Sequence, residues 1–254
     1  MSPLVISLIV FGCIFGGVLL GMFLRRVLPE HHVSDASKDV MKMGTAMIAT
    51  LAALVLGLLI ASAKGTFDTM TSELRQTGSK IVLLDHVMAQ YGPETREARN
   101  LLRSGVTRAL QRIWPEEASG IEVEKARQPS NDLEVLQANL LQLSPRNDAQ
   151  RWLQSRALQV TADIAESRSL LIQQVGQSAL PAPFLLLLVF WLTIIFASFG
   201  LFSPRNGTVI FVLFVCALSA AGSLFLILEL DRPYEGLIKI SSAPLRIALA
   251  NLGQ

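Results

Sequence analysis

Residues 44–64 read GTAMIATLAALVLGLLIASAK, an apolar run that meets its first charge at Lys64. Counted from Met43 to Ala63, no Asp, Glu, Lys or Arg interrupts it. A helix rises about 1.5 Å per residue, so about 20 such residues cross the hydrocarbon core of a bilayer. Working outward, residues 1–24, 169–204 and 206–228 are equally free of charge. Pro181 and Pro183 suit a helix start and place the third span near 184–202. The reading is therefore an all-α integral membrane protein with four crossings.

Composition agrees. Of 254 residues, 51% are apolar and only 17% charged, with a net charge of +2. An ordinary soluble domain carries roughly a quarter charged residues, and no surplus of charge here suggests nucleic acid as a partner. Cys13 and Cys216 both sit inside apolar runs, which excludes a disulfide framework. The first span has no basic residue before it and Arg25-Arg26 after it. That order is wrong for a cleaved signal and predicts a retained anchor.

The spans pair into two hairpins. Residues 1–63 form the first and 181–228 the second, with a polar block, 64–180, between them and a post-membrane tail, 229–254. An even number of crossings puts the block, both termini and the tail on one side. The short loops hold Arg25, Arg26, Lys38, Lys42 and Arg205. Basic residues in short loops stay cytoplasmic, which leans the block toward the outer face.

Within the second span two faces differ. Thr45, Ala49, Ala53, Gly57 and Ala61 recur every four residues, a small-residue stripe of the kind that lets helices pack closely in lipid. Ile48, Leu51, Val55, Leu58 and Ser62 form an aliphatic face. That second face suits either lipid contact or stacked apolar rings around the axis of an oligomer, a constriction that gates by dewetting. Gly12-x-x-x-Gly16 and Gly17-x-x-x-Gly21 add close-packing signals to the first span. Phe184, Phe190, Trp191, Phe196, Phe199 and Phe202 suggest that the third faces lipid. No span carries an ionisable residue of the kind that ion-coupled carriers and proton relays need.

Past Lys64 the periodicity continues. Phe67, Met70, Leu74, Thr77, Ile81, Leu84, Met88 and Tyr91 alternate spacings of three and four, a heptad seam that predicts one unbroken helix ending at Gly92-Pro93. Part of the core of the helical block is expected to lie between subunits. Further helices are predicted over 93–114, about 132–143 and 147–177, with 115–131 a loop. The block is thus a helical bundle with fourteen basic and fourteen acidic residues.

Motifs for catalysis are missing: there is no P-loop, dinucleotide turn, zinc-protease pair or nucleophile elbow, so no enzyme and no cofactor is expected. His31-His32, near Glu30, Asp35 and Asp39, reads as a solvated loop, because adjacent histidines share one tetrahedral metal poorly. In the tail, Glu229, Asp231 and Glu235 could form a hard-cation site. They equally suit salt bridging with Arg232 and Lys239 at a helix end. Residues 245–252 are weakly amphipathic and suit the membrane surface.

Gly44 to Lys64, Leu83-Leu84-Asp85, Tyr91-Gly92-Pro93-Glu94, Asp231-Arg232-Pro233-Tyr234-Glu235-Gly236 and Ser241-Ser242 together resemble the bestrophin-like family of bacterial multipass membrane proteins. The resemblance implies kinship with pentameric anion channels whose second membrane helix lines a hydrophobic neck. It implies a homo-oligomer in the bacterial inner membrane, passing small inorganic ions, with Leu51, Val55 and Leu58 at the neck. Glu229, Asp231 and Glu235 would stand where that family clasps calcium. A non-conducting membrane-anchored scaffold or sensor, docking a partner protein through its bundle, is the alternative reading.

Overall fold

A computed structural model describes residues 2–27, 35–115, 131–175, 182–204, 206–234 and 236–253. Among these no residue is in a strand. The elements are α1 (Pro3–Val27), α2 (Asp35–Tyr91), a 3₁₀ turn (Pro93–Thr95), α3 (Arg96–Ile113), α4 (Asp132–Gln142), α5 (Asp148–Val175), α6 (Ala182–Phe202), α7 (Gly207–Leu230) and α8 (Ala243–Asn251). Four helices are long and apolar enough to cross a membrane: α1, the first part of α2, α6 and α7. Together they establish a multipass membrane protein.

The chain forms two compact units. One comprises Met1–Phe67 and Ser178–Ile238, the other Asp68–Gln177 and Lys239–Gln254. The predicted tail is therefore divided, its last residues belonging to the bundle.

In the first unit α1 packs on α6 and α7 around Ile14, Val18, Leu188 and Leu224, all fully buried. The α1–α6 crossing is close because glycines form it. A Cβ on Gly17 would stand 2.9 Å from the Thr193 carbonyl oxygen, and one on Gly21 would overlap that of Ala197. Gly200 returns the contact against the carbonyl of Val18. With no side chains between them, the backbones gain dispersion contact that lipid cannot supply. Gly12 and Gly16, by contrast, face open space. On α6, Phe184, Phe190 and Phe199 are exposed as expected, but Phe196 is buried in the core.

The second unit is built on the distal part of α2. Met70, Leu74, Thr77, Ile81, Leu84, Met88 and Tyr91 are buried within the protomer. Thr77 Oγ1 donates back to the Glu73 carbonyl at 2.9 Å, which pairs that hydroxyl within the helix. Other buried apolar groups of this unit include Ala98, Leu102 and Val106 of α3, Leu136 and Leu140 of α4 and Leu153, Ala157 and Val160 of α5. The loop predicted over 115–131 lies mostly outside the described residues.

The chain's last helix corrects an expectation. Leu245, Ala248 and Leu252 of α8 are buried in the bundle, not laid on a membrane surface. The Trp114 indole N–H donates to the Ile240 carbonyl at 2.9 Å, and a Cβ on Gly78 would stand 3.0 Å from the Pro244 carbonyl oxygen. The short apolar face of α8 thus finds a protein partner.

Candidate functional site

The membrane part of α2 has three sectors. Ala52, Leu59 and Ala63 are buried in the core made with α1, α6 and α7. Their spacings of seven and four place them on one side of the helix. On one flank lie the residues predicted to line a pore. Ile48 and Val55 are half-buried against that core, while Leu51 (49% exposed), Leu58 (67%) and Ser62 are open. On the other flank lies the small-residue stripe. Thr45 and Ala49 are half-buried; Ala53, Gly57 and Ala61 are exposed, and a Cβ on Gly57 would meet nothing within 4 Å. The anchoring face therefore runs between the two faces that the sequence distinguishes. Ala52, Leu59 and Ala63 were hidden from sequence reading, because every position around them is apolar too.

Two exposed sectors on one membrane helix have a chemical meaning. Thr50 Oγ1 donates to the Ala46 carbonyl at 2.9 Å, so even the hydroxyl on the open side is satisfied within the helix. Met47, Leu51, Leu54 and Leu58 form a continuous open hydrocarbon surface. A surface of this kind contacts lipid or forms, with its copies, a dewettable constriction. It offers no fixed charge to attract either sign of ion.

At the end of α7 the acidic residues do different work from one another. Glu229 is 4% exposed, and its Oε2 accepts the Leu237 backbone N–H at 2.7 Å. The chain can turn back onto that carboxylate because Gly236 has φ +91; a Cβ there would overlap it. Pro233 is buried and ends the helix, since its ring removes a donor. Asp231 is half-buried and Glu235 lies outside the described residues, as do Glu30, His31 and His32. Among the described residues no three His, Cys, Asp or Glu side chains come together as a metal site would require.

In the second unit the segments that carry the family resemblance brace the distal end of α2. Asp85 is 2% exposed and takes a bidentate pair from Arg99, Nε to Oδ1 at 2.7 Å and Nη2 to Oδ2 at 2.8 Å. The Gly253 N–H adds a third bond to Oδ2 at 3.1 Å. Burial pushes the Asp85 carboxyl up, but the Arg99 and Gly253 donors outweigh it and hold the group below its ordinary value. Gly92, at φ 133, lets the chain leave α2 sharply. The Thr95 hydroxyl then lies 2.6 Å from the Met88 carbonyl oxygen and 2.8 Å from that of Gly92, capping the helix end. His86 is exposed, in a groove shared with α5.

Against known families, the Bestrophin-like domain matches residues 12–245, nearly the whole chain. The chain belongs to the bestrophin-like family. Neither a curated protein nor a solved structure matches it. Within this bestrophin-like chain the match spans α2 from end to end and stops inside α8, before Gly253 and its bond to Asp85.

Proposed function

We propose that this bestrophin-like chain is an oligomeric channel for small anions, with the open aliphatic face of α2 around the pore. One observation carries the reading. In the membrane unit only a narrow side of α2 is buried, and Leu51 and Leu58 stand clear of α1, α6 and α7. Copies of α2 arranged about an axis would set Leu51 and Leu58 as successive apolar rings, with Ile48 and Val55 at their edges and Ser62 at the mouth. The exposed Ala53, Gly57 and Ala61 would allow neighbouring helices to approach closely. Family membership supports ion conduction, and the resemblance to bestrophins supports anions. The pore-lining set, the oligomer and the inner-membrane location belong to this proposal. So does any cation site at Glu229, Asp231 and Glu235, for which Glu229's existing bond to Leu237 is an unfavourable start.

Reconstitution of the purified protein in planar bilayers tests this. Wild-type protein should pass current, and Leu51→Ala, by widening an apolar ring, should raise unitary conductance. Silence from both proteins at confirmed incorporation removes the channel reading, as does a monomeric mass of the detergent-solubilised protein.

A further inference from the structure

Within the second unit a groove between α2 and α5 takes no part in bracing the distal end of α2. Its volume is about 610 Å³, inside the range of about 300–1,000 Å³ usual for small-molecule sites. Val87 of α2 is buried there, while Leu83 and Trp152 line the same groove and remain 40% and 64% exposed. Two large apolar side chains left open around one depression offer a surface for an apolar body.

The polar lining has one sign. Arg156 of α5 supplies a guanidinium, and His86 and Gln90 of α2 add groups that donate hydrogen bonds. Arg156 Nη1 donates to Gln159 Oε1 at 2.9 Å, a neutral partner, and among the described residues no carboxylate pairs with it. No carboxylate lines the groove. The acids nearest along the two helices are engaged elsewhere. Asp85 is buried against Arg99, and Asp148 meets Arg151 at 2.6 Å. Asp163 lies a turn beyond Gln159, where Lys80 Nζ stands 3.4 Å from its carbonyl oxygen.

We propose that this groove binds a small monocarboxylate with an apolar body. Its carboxylate would take the Arg156 guanidinium, whose planar fork matches two carboxylate oxygens. Its body would lie between Trp152 and Leu83, over Val87. One full cation suits one negative charge. A phosphate group usually recruits a helix N-terminus as well, and the first turn of α5 does not line the groove. The site is independent of the pore reading.

Fluorine NMR of 4-fluorophenylacetate with the full-length protein in nanodiscs tests this, against empty nanodiscs. Wild type should broaden the probe resonance saturably. It should bind 4-fluorophenylacetamide, the uncharged isostere, about tenfold more weakly, the low end of what a hydrogen bond to a charged group contributes. Arg156→Gln should bind the acid about tenfold more weakly than wild type does, down to the level of the amide. Trp152→Ala should weaken both probes, and Arg151→Gln should weaken neither. A wild-type resonance no broader than with empty nanodiscs, equal binding of acid and amide, or undiminished binding of the acid by Arg156→Gln overturns the site. Should Arg156→Gln fail to fold, undiminished binding by Trp152→Ala does the same. A solubilised assembly whose mass falls in either variant gives the groove to a second copy of the chain and overturns the small-molecule site.

Discussion

Alanine at Gly21 and alanine at Gly16 are the same change on the same helix, and the structure assigns them opposite signs. At Gly21 the new methyl would overlap the Ala197 carbonyl oxygen and stand 2.9 Å from both the Ala197 carbonyl carbon and the Leu201 nitrogen. Carbon contacts prefer about 3.5–4.0 Å, and the opposing atoms are backbone, which cannot rotate aside. Helix α6 has to retreat, and its separation forfeits contacts along the crossing. Overpacking of this kind costs about 1–3 kcal/mol, and rigid neighbours put it near the upper end. Alanine gains up to about 1 kcal/mol over glycine in a helix, so Gly21→Ala should destabilise the membrane unit by about 2 kcal/mol. At Gly16 nothing lies within 4 Å, and only the gain of about 1 kcal/mol remains. The pair should therefore differ by about 3 kcal/mol. Unfolding in mixed micelles with rising dodecyl sulfate, followed by tryptophan fluorescence with Trp191 in α6, measures the difference. Equal midpoints for the two variants, or a Gly16→Ala protein that unfolds first, would refute the assigned crossing.

Two further perturbations probe the ends of α2 and α7. Asp85→Asn leaves Arg99 facing an uncharged amide and should lower the stability of the bundle by about 3 kcal/mol, as for other broken buried pairs. The native carboxyl is held below its unfolded value of 3.8, so its contribution is full above that value and fades as pH falls through the folded one. Denaturant titrations across that acid window should show wild type losing stability more steeply than Asp85→Asn, and parallel acid limbs would contradict the pairing. Gly236→Ala should cost about 1–2 kcal/mol from the left-handed backbone alone, and more from overlap with the Glu229 carboxylate. Thermal melts that leave Gly236→Ala unchanged would mean that the turn is not held as described.

Much of the architecture was legible because its causes are local. Four charge-free runs can only be comfortable in hydrocarbon, and the alternation of threes and fours from Phe67 to Tyr91 has one helical interpretation. Gly92 ends that helix by adopting a positive φ, and Pro93 after it removes a donor. Other features depended on neighbours that sequence does not name. Residues 245–252 are amphipathic enough for a membrane surface, and the burial of Leu245, Ala248 and Leu252, flanked by the Trp114–Ile240 and Asp85–Gly253 bonds, shows that they belong to the bundle.

The candidate site divides the same way. The sequence by itself determined that the second span is two-faced, because small and bulky side chains repeat at helical spacing. It also determined that no charge lies in that span, since charge is what the chain spends most reluctantly in lipid. Which side of the span is anchored was decided only by tertiary structure. Ala52, Leu59 and Ala63 are no more apolar than their neighbours, and burial in an apolar helix is set by shape fit rather than by hydrophobicity. Likewise Gly12, Gly16, Gly17 and Gly21 are identical in composition, and only the carbonyls of Thr193 and Ala197 distinguish the pair that must stay glycine from the pair that need not.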